Sequence, residues 1–264
     1  MIPHRWQTQK AFLIGTTILM SMTFAGWLAM LNNFAVEKAA FSGAEIGILQ
    51  SLREVPGFLA FTAVFLLLVM REQTLALVAL CLMCVGVALT GLFPFELGLY
   101  ATTVLMSVGF HYFETINTSL TLQWIKKEET PHVMGQLISF RSMSALIAYA
   151  AIWLFFSVFM MTYSTAYLVV GGVGLLIFFW LWLGFPKFET PVEQHKKLIL
   201  RKRYWLYYLL TFFSGARRQI FMVYPKISNY SKIRNIQYRL KCFINQLDNY
   251  TKLSSNSLQK EAFL

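Results

Sequence analysis

With 57% hydrophobic and only 13% charged residues, this 264-residue chain has more apolar surface than a water-soluble fold of its size can bury. Its net charge of +11 sits between apolar runs and in the C-terminal region, which favours membrane orientation over nucleic-acid binding. Composition therefore predicts an integral membrane protein whose first partner is the lipid bilayer.

Six segments are long and apolar enough to be membrane-spanning helices, which need about 20 apolar residues. They lie at about residues 11–36, 44–70, 75–93, 97–123, 136–161 and 163–185. We predict an all-α membrane protein with a six-helix transmembrane bundle over residues 1–185. Because the connections are short, successive helices are expected to be antiparallel neighbours. A weaker segment at about 204–223 predicts a partial seventh helix.

Lysine and arginine are distributed unequally between the two sides of this bundle. With the N-terminus in the cytoplasm, the outside loops contain only Lys38. The inside segments then contain Arg5, Lys10, Arg71, Lys126, Lys127, Lys187, Lys196, Lys197, Arg201, Lys202 and Arg203. This asymmetry predicts a multi-pass protein with a cytoplasmic N-terminus and a cytoplasmic basic loop at 186–203.

The second segment contains two adjacent ionisable residues, Arg53 and Glu54, followed by Pro56 and Gly57. A charge at the bilayer centre costs about 2.5–3.5 kcal/mol, so such residues normally face a bundle interior. Adjacent residues on a helix point about 100° apart, so we expect each to find its partner on another helix. The proline and glycine predict a kink or a close helix contact.

A polar stripe runs along the fourth segment, and an arginine enters the fifth. The stripe consists of Ser107, His111, Glu114, Thr115 and Thr118. His111 and Glu114 are spaced to meet, either as a proton-carrying pair or as a hydrogen bond that joins helices. Arg141 lies about two turns into the fifth segment, where it can pair with Glu114 or extend to the cytoplasmic surface.

The sequence contains little that indicates metal binding, cofactor binding or catalysis. Cys81 and Cys84 form a CxxC inside an apolar run without nearby histidine or carboxylate partners. We therefore interpret them as ordinary residues of a transmembrane helix, without a metal or redox role. We expect no metal and no cofactor. Because no nucleophile stands beside a base, an intramembrane enzyme is not expected either.

The six-segment pattern, the basic loop and the start of a seventh helix resemble the N-terminal half of a major facilitator superfamily (MFS) transporter. The resemblance covers about residues 8–223. The stretches NNFAVEKAAFSGAEIGILQSLREVPGFLAF and SGARRQIFMV are similar to bacterial permeases of that superfamily, which implies the bacterial cytoplasmic (inner) membrane. The loop VMREQT contains Arg71 but lacks the glycine and aspartate of the superfamily motif there.

The resemblance implies a secondary active transporter that moves an unknown small solute by alternating access between two six-helix halves. The implied substrate or proton pathway residues of this half are Arg53, Glu54, His111, Glu114, Asn117 and Arg141. A transporter predicts a polar cavity among the first, second, fourth and fifth segments. The alternative is a non-transporting membrane fragment or scaffold, which predicts the same residues paired internally.

The C-terminal region 224–264 is polar and basic, and it follows the apolar IFMV within the seventh segment. We predict an incomplete copy with a non-native tail from a shifted reading frame. The alternative is a basic amphipathic helix that lies on an anionic membrane surface. An incomplete copy leaves homodimerisation open as a way to assemble two halves.

Overall fold

The computed structural model describes residues 7–189 together with residues 203, 205, 206, 209 and 210. The helices are α1 (Gln9–Glu37), α2 (Gly43–Phe58), α3 (Ala63–Leu66), α4 (Glu72–Thr90), α5 (Glu96–Trp124), α6 (Thr130–Ser157) and α7 (Tyr163–Gly184). A 3-10 turn, Leu59–Thr62, joins α2 to α3. The described residues include no strand, and the predicted all-α membrane fold is confirmed.

Residues 205, 206, 209 and 210 of the predicted seventh helix are helical. The remainder of that segment and the tail 224–264 lie outside the described residues. The basic loop is described only over residues 186–189 and at Arg203.

Four of the described helices, α1, α4, α6 and α7, are long and apolar enough to cross a membrane. The second predicted span is divided, since α2 has 16 residues and gives way to the 3-10 turn shortly after Pro56 and Gly57. The sequence predicted a kink or a close helix contact at Pro56 and Gly57; α2 runs through both residues and ends at Phe58. Helix α5 has 29 residues, but its polar stripe lowers its hydropathy. Six spans therefore remain a prediction.

Side chains fix where three of these helices begin. Ser42 and Glu45 form a capping box at the start of α2, in which the Ser42 backbone N–H donates to Glu45 Oε2 at 2.8 Å. Thr8 and Thr162 accept from backbone N–H groups in the first turns of α1 and α7. Such caps satisfy donors that a helix leaves unpaired, and each contributes about 1 kcal/mol.

Helix neighbours follow the chain order only in part. α5 packs against α4, its predecessor, as predicted, and also against α2. α1, however, packs mainly against α6 and α7, and α4 also contacts α7. The expectation that every successive pair would be neighbours is therefore wrong. Helices that are apolar on all sides can pack in many orders, so the fit of small residues selects the neighbour.

Two glycines show how closely these helices approach. A Cβ atom added at Gly86 of α4 would lie 2.6 Å from the backbone nitrogen of Met106 on α5. One added at Gly171 of α7 would lie 2.7 Å from Cα of Ala88 on α4. Only residues without a side chain allow backbones this close, so glycine sets the spacing around α4.

Candidate functional site

The ionisable residues of α2 form a group with one residue of α5. Arg53 donates to Glu54 Oε1 from Nε at 3.0 Å and from Nη2 at 2.7 Å. His111 Nε2 lies 4.0 Å from Glu54 Oε2. The expectation that Arg53 and Glu54 would not pair with each other is therefore wrong. The arginine side chain is long enough to turn back to its neighbour although the two Cβ atoms diverge.

Gly57 allows His111 to reach this group. A Cβ atom added at Gly57 would lie 2.7 Å from Cε1 of the imidazole, so the ring rests directly on the α2 backbone. One helical turn earlier on α5, the Ser107 hydroxyl donates to the backbone carbonyl of Arg53. The close contact predicted from Pro56 and Gly57 is thus confirmed, and its partner is α5.

A second ion pair joins α5 to α6. Arg141 donates to Glu114 from both terminal nitrogens, with Nη1 3.3 Å from Oε2, and Nη2 forms the shorter bond to Oε1. This confirms the predicted Glu114–Arg141 pair. It also means that Glu114 does not bond His111, which faces Glu54 instead. Both side chains of the pair remain partly exposed, at 31% and 42%.

The backbone of Arg141 is held as well. Ser21 of α1 donates from its hydroxyl to the Arg141 carbonyl at 2.6 Å. On the same face of α6, Ser144 and Ala148 are buried. These small residues allow α1 to pack closely against α6 near Arg141.

Asn117 is buried between α5 and α1. Its Nδ2 donates to the Thr17 hydroxyl at 3.3 Å, and its Oδ1 has no hydrogen-bond partner among the described residues. A buried amide oxygen without a donor is costly, by about 1–3 kcal/mol. Asn117 lies one turn beyond Glu114 and extends the polar row of α5.

The two threonines of the stripe form hydrogen bonds with the backbone of their own helix. Thr115 donates to the His111 carbonyl at 3.0 Å, and Thr118 donates to the Glu114 carbonyl at 2.9 Å. Both threonines are exposed on α5. The candidate site residues thus fall into two ion-paired groups, one of Arg53, Glu54 and His111 and one of Glu114 and Arg141. Asn117 instead bonds Thr17 of α1.

A second polar cluster was missed from the sequence. Glu72, at the start of α4, is 2% exposed and accepts from Gln123 Nε2 at 2.9 and 2.8 Å and from the Ser119 hydroxyl at 3.0 Å. An acidic residue in a first turn is ordinarily read as a helix-dipole partner at the surface. The available signal was the i, i+4 spacing of Ser119 and Gln123, which places two polar side chains on one face of α5.

The described residues contain no group of three or more histidine, cysteine or acidic residues that could hold a metal ion. Cys84 of the CxxC is buried, and its Sγ lies 4.0 Å from the Thr23 hydroxyl.

Comparison with known proteins gives a likeness of fold. No family model matches the sequence, and no curated protein matches it. Among solved structures, the chain is similar to the crystal structure of an auto-inhibited POT family peptide transporter, with a TM-score of 0.50 and 18% sequence identity. The match covers 70% of this chain and 39% of that transporter, so the chain spans well under half of its length. The matched part of this chain therefore shares the all-helical fold of the corresponding part of that structure.

Proposed function

We propose that the chain forms one half of a secondary active transporter of MFS type, which moves a small solute by alternating access. The observation that carries this proposal is a set of two arginine–carboxylate pairs that meet successive turns of α5. Arg53 and Glu54 of α2 lie beside His111, and Arg141 of α6 pairs with Glu114. The Arg53–Glu54 and Glu114–Arg141 pairs lie in segments whose other residues are mostly apolar. Four ionisable groups cost about 2.5–3.5 kcal/mol each in a bilayer, whereas a hydrogen bond between membrane helices returns about 0.6 kcal/mol. Holding helices together does not justify that cost, and binding a solute does.

The arrangement favours a solute that carries both charges. Each pair offers one cation and one anion, and both stay partly exposed. A zwitterion can bind between the two pairs, with its cationic end beside one carboxylate and its anionic end beside one guanidinium, so that the numbers of positive and negative charges stay equal. The peptide substrates named for the structural neighbour are of this kind. A proton can be taken up at the same place, by His111 beside Glu54 or by Glu114 when Arg141 releases it.

Alternating access needs a second half, because the cavity of such transporters lies between two repeats. We propose that further chain or a second copy of this chain supplies it. Crosslinking in native membranes distinguishes a homodimer from a monomer, and a strictly monomeric chain would exclude the second copy.

The wet cavity can be tested without knowing the solute. Thr115→Cys and Thr118→Cys place thiols on the exposed stripe of α5, in a chain whose Cys81, Cys84 and Cys242 are replaced by alanine. A membrane-impermeant maleimide should label both from either side of the membrane. The control is Leu176→Cys on the exposed apolar face of α7, which should not react because lipid covers it. Labelling from neither side would exclude the cavity.

Uptake tests the transport step itself. Proteoliposomes with an inward proton gradient are given dipeptides, neutral sugars and amino acids. We expect a dipolar solute to be taken up, and Glu114→Gln to abolish that uptake. Glu128→Gln, which changes an exposed carboxylate in the α5–α6 connection, should leave it unchanged. Equal loss in both variants would remove the role assigned to Glu114.

One observation favours the alternative, a non-transporting membrane scaffold with a lipid-contacting tail. The charged side chains of the site are already paired with each other within the described residues. A scaffold needs no more than this. It predicts that neither stripe thiol is labelled and that Glu114→Gln affects stability without affecting any flux.

A further inference from the structure

A cleft of about 270 Å³ lies where the α3–α4 connection meets the C-terminal end of α5 and the segment after α7. Its walls are residues 67–74, Trp124, Lys187 and Phe188. None of these residues belongs to the ion-pair site. The segment after α7 is fixed to this wall, because Gln73 donates to the Pro186 carbonyl and accepts from the Phe188 N–H, both at 2.9 Å.

The polar part of the cleft is cationic. Arg71 and Lys187 line it and are exposed, and the three ion pairs among the described residues involve neither. Glu72 also lines it, but its carboxylate is engaged by Ser119 and Gln123 of α5. The lining therefore contains two cations and one carboxylate, which leaves it net positive, and neither cation forms an ion pair among the described residues.

Trp124 gives independent evidence that something polar belongs here. Its side chain is 8% exposed and packs edge-on against Phe12 and Phe188, with ring centroids 5.8 and 5.3 Å apart. Its indole N–H has no hydrogen-bond partner among the described residues, although the side chain lines the cleft. A buried donor without an acceptor is unfavourable by about 1–3 kcal/mol, so a ligand acceptor that reaches the indole N–H from the cleft would be favoured.

The rest of the cleft is aliphatic and open. Leu68 and Val69 line it and are 51% and 83% exposed, directly before Arg71 in the chain. A free inorganic anion would make no favourable contact with this aliphatic surface. A ligand with an anionic head and a hydrocarbon chain would contact both parts at once.

We propose that the cleft binds the phosphate of an anionic phospholipid. Arg71 and Lys187 contact the phosphate, the indole N–H of Trp124 donates to one of its oxygens, and Leu68 and Val69 contact the acyl chain. Basic residues place the cleft on the predicted cytoplasmic side, where a lipid headgroup is at the right depth for helix ends. The proposal goes beyond transport and does not depend on it.

Native mass spectrometry of the full chain tests the site, with phosphatidylglycerol and phosphatidylcholine added at equal concentrations. We expect preferential binding of phosphatidylglycerol, weakened about fivefold by each of Arg71→Gln and Lys187→Gln. Trp124→Phe, which keeps a ring and removes the N–H, should weaken it as well. The matched control is the double change Lys126→Gln and Lys127→Gln, two exposed lysines after α5 that do not line the cleft.

Three outcomes would overturn the proposal. If the Lys126/Lys127 control loses as much binding as the cleft variants, the attraction is diffuse and no site exists. If inorganic phosphate displaces phosphatidylglycerol at equal concentration, the site binds phosphate and not lipid. If phosphatidylglycerol and phosphatidylcholine bind equally well to the wild-type chain, the cleft does not recognise the charge of the headgroup. Unfolding temperatures measured in phosphatidylcholine identify any variant that has lost its fold. The binding of phosphatidylglycerol to the variants that remain folded then tests the proposal.

Discussion

At the scale of single residues, Glu114 and Arg141 form the ion pair that the sequence could predict. Removing one partner of a fully buried pair costs about 3–5 kcal/mol, because the other charge is left without compensation. Here the two side chains are 31% and 42% exposed, so solvent screens part of that cost. The pair should therefore behave as a coupled unit of moderate strength.

We predict that Glu114→Gln and Arg141→Gln each lower the free energy of unfolding more than the double change does. The coupling energy should be about 0.5–3 kcal/mol, because the double variant has no unpaired charge. Reversible unfolding in mixed micelles measures all four chains of the cycle. Lys127→Gln with Glu128→Gln, in the exposed α5–α6 connection, is the control pair and should be additive. Additive effects at 114 and 141 would contradict the coupling.

Gly57 supports a different contact, the one between α2 and the His111 imidazole. We predict that Gly57→Ala destabilises the chain by about 1 kcal/mol, the low end of overpacking costs, because the His111 ring must shift and, as the end of a side chain, can do so more easily than a backbone. Shortening the ring residue in the double change Gly57→Ala with His111→Ala should recover most of the loss caused by the methyl group. Thermal unfolding measures both.

Gly47→Ala is the matched control on the same helix, since a Cβ atom there meets nothing within 4 Å. Alanine has the higher helix propensity, so this change should be neutral or stabilising. Equal destabilisation at positions 47 and 57 would mean that the imidazole contact is not the cause.

At the scale of elements, the helices around α4 are spaced by residues without side chains. Gly171 of α7 faces the α4 backbone at Ala88, whereas its neighbour Gly172 has open space around it. A backbone cannot move aside as a flexible side chain can, so an added methyl group at Gly171 must separate the two helices. Position 172 offers no such obstacle.

We therefore predict opposite outcomes for two adjacent substitutions. Gly171→Ala should lower the free energy of unfolding by about 1–3 kcal/mol, as overpacking does. Gly172→Ala should raise it or leave it unchanged, since glycine is about 1 kcal/mol less favourable than alanine inside a helix. Unfolding of both variants in the same micelles is the measurement. Similar behaviour of the two would show that α4 and α7 are not in close contact.

At the scale of the whole molecule, the outer surface is apolar. α6 and α7 present large exposed side chains, among them Leu146, Trp153, Leu176 and Leu183. Exposed apolar surface this extensive marks contact with lipid or with another protein. The chain should therefore stay in the membrane fraction after carbonate washing.

The orientation of the chain is the prediction at this scale. With Cys81, Cys84 and Cys242 replaced by alanine, Lys38→Cys should react with an impermeant maleimide in intact cells. Lys127→Cys should react only after the membrane is opened, because basic connections stay in the cytoplasm. Both positions are exposed in the structure, so access is decided by the side of the membrane alone. The reverse pattern would place the N-terminus outside.

The sequence by itself determined the elements. Apolar runs of hydrocarbon length oblige the backbone to form helices, since every N–H and C=O group must be paired where water is absent. The observed helices accordingly begin and end within a few residues of the predicted segments, with two exceptions: α6 starts at Thr130, and the second segment is divided into α2, a 3-10 turn and α3. Glu114 and Arg141 could be matched because each is a lone charge on an apolar helix and their signs are opposite.

Only the tertiary structure decided which side chains meet elsewhere. Arg53 pairs with its neighbour Glu54, and His111 lies beside Glu54 and not Glu114. Glu72 is buried against Ser119 and Gln123. In a bilayer every face of such a helix is apolar, so periodicity does not reveal the neighbour. The neighbour is set by where backbones can approach, at Gly57, Gly86 and Gly171, and those approaches determine which polar groups lie within bonding distance.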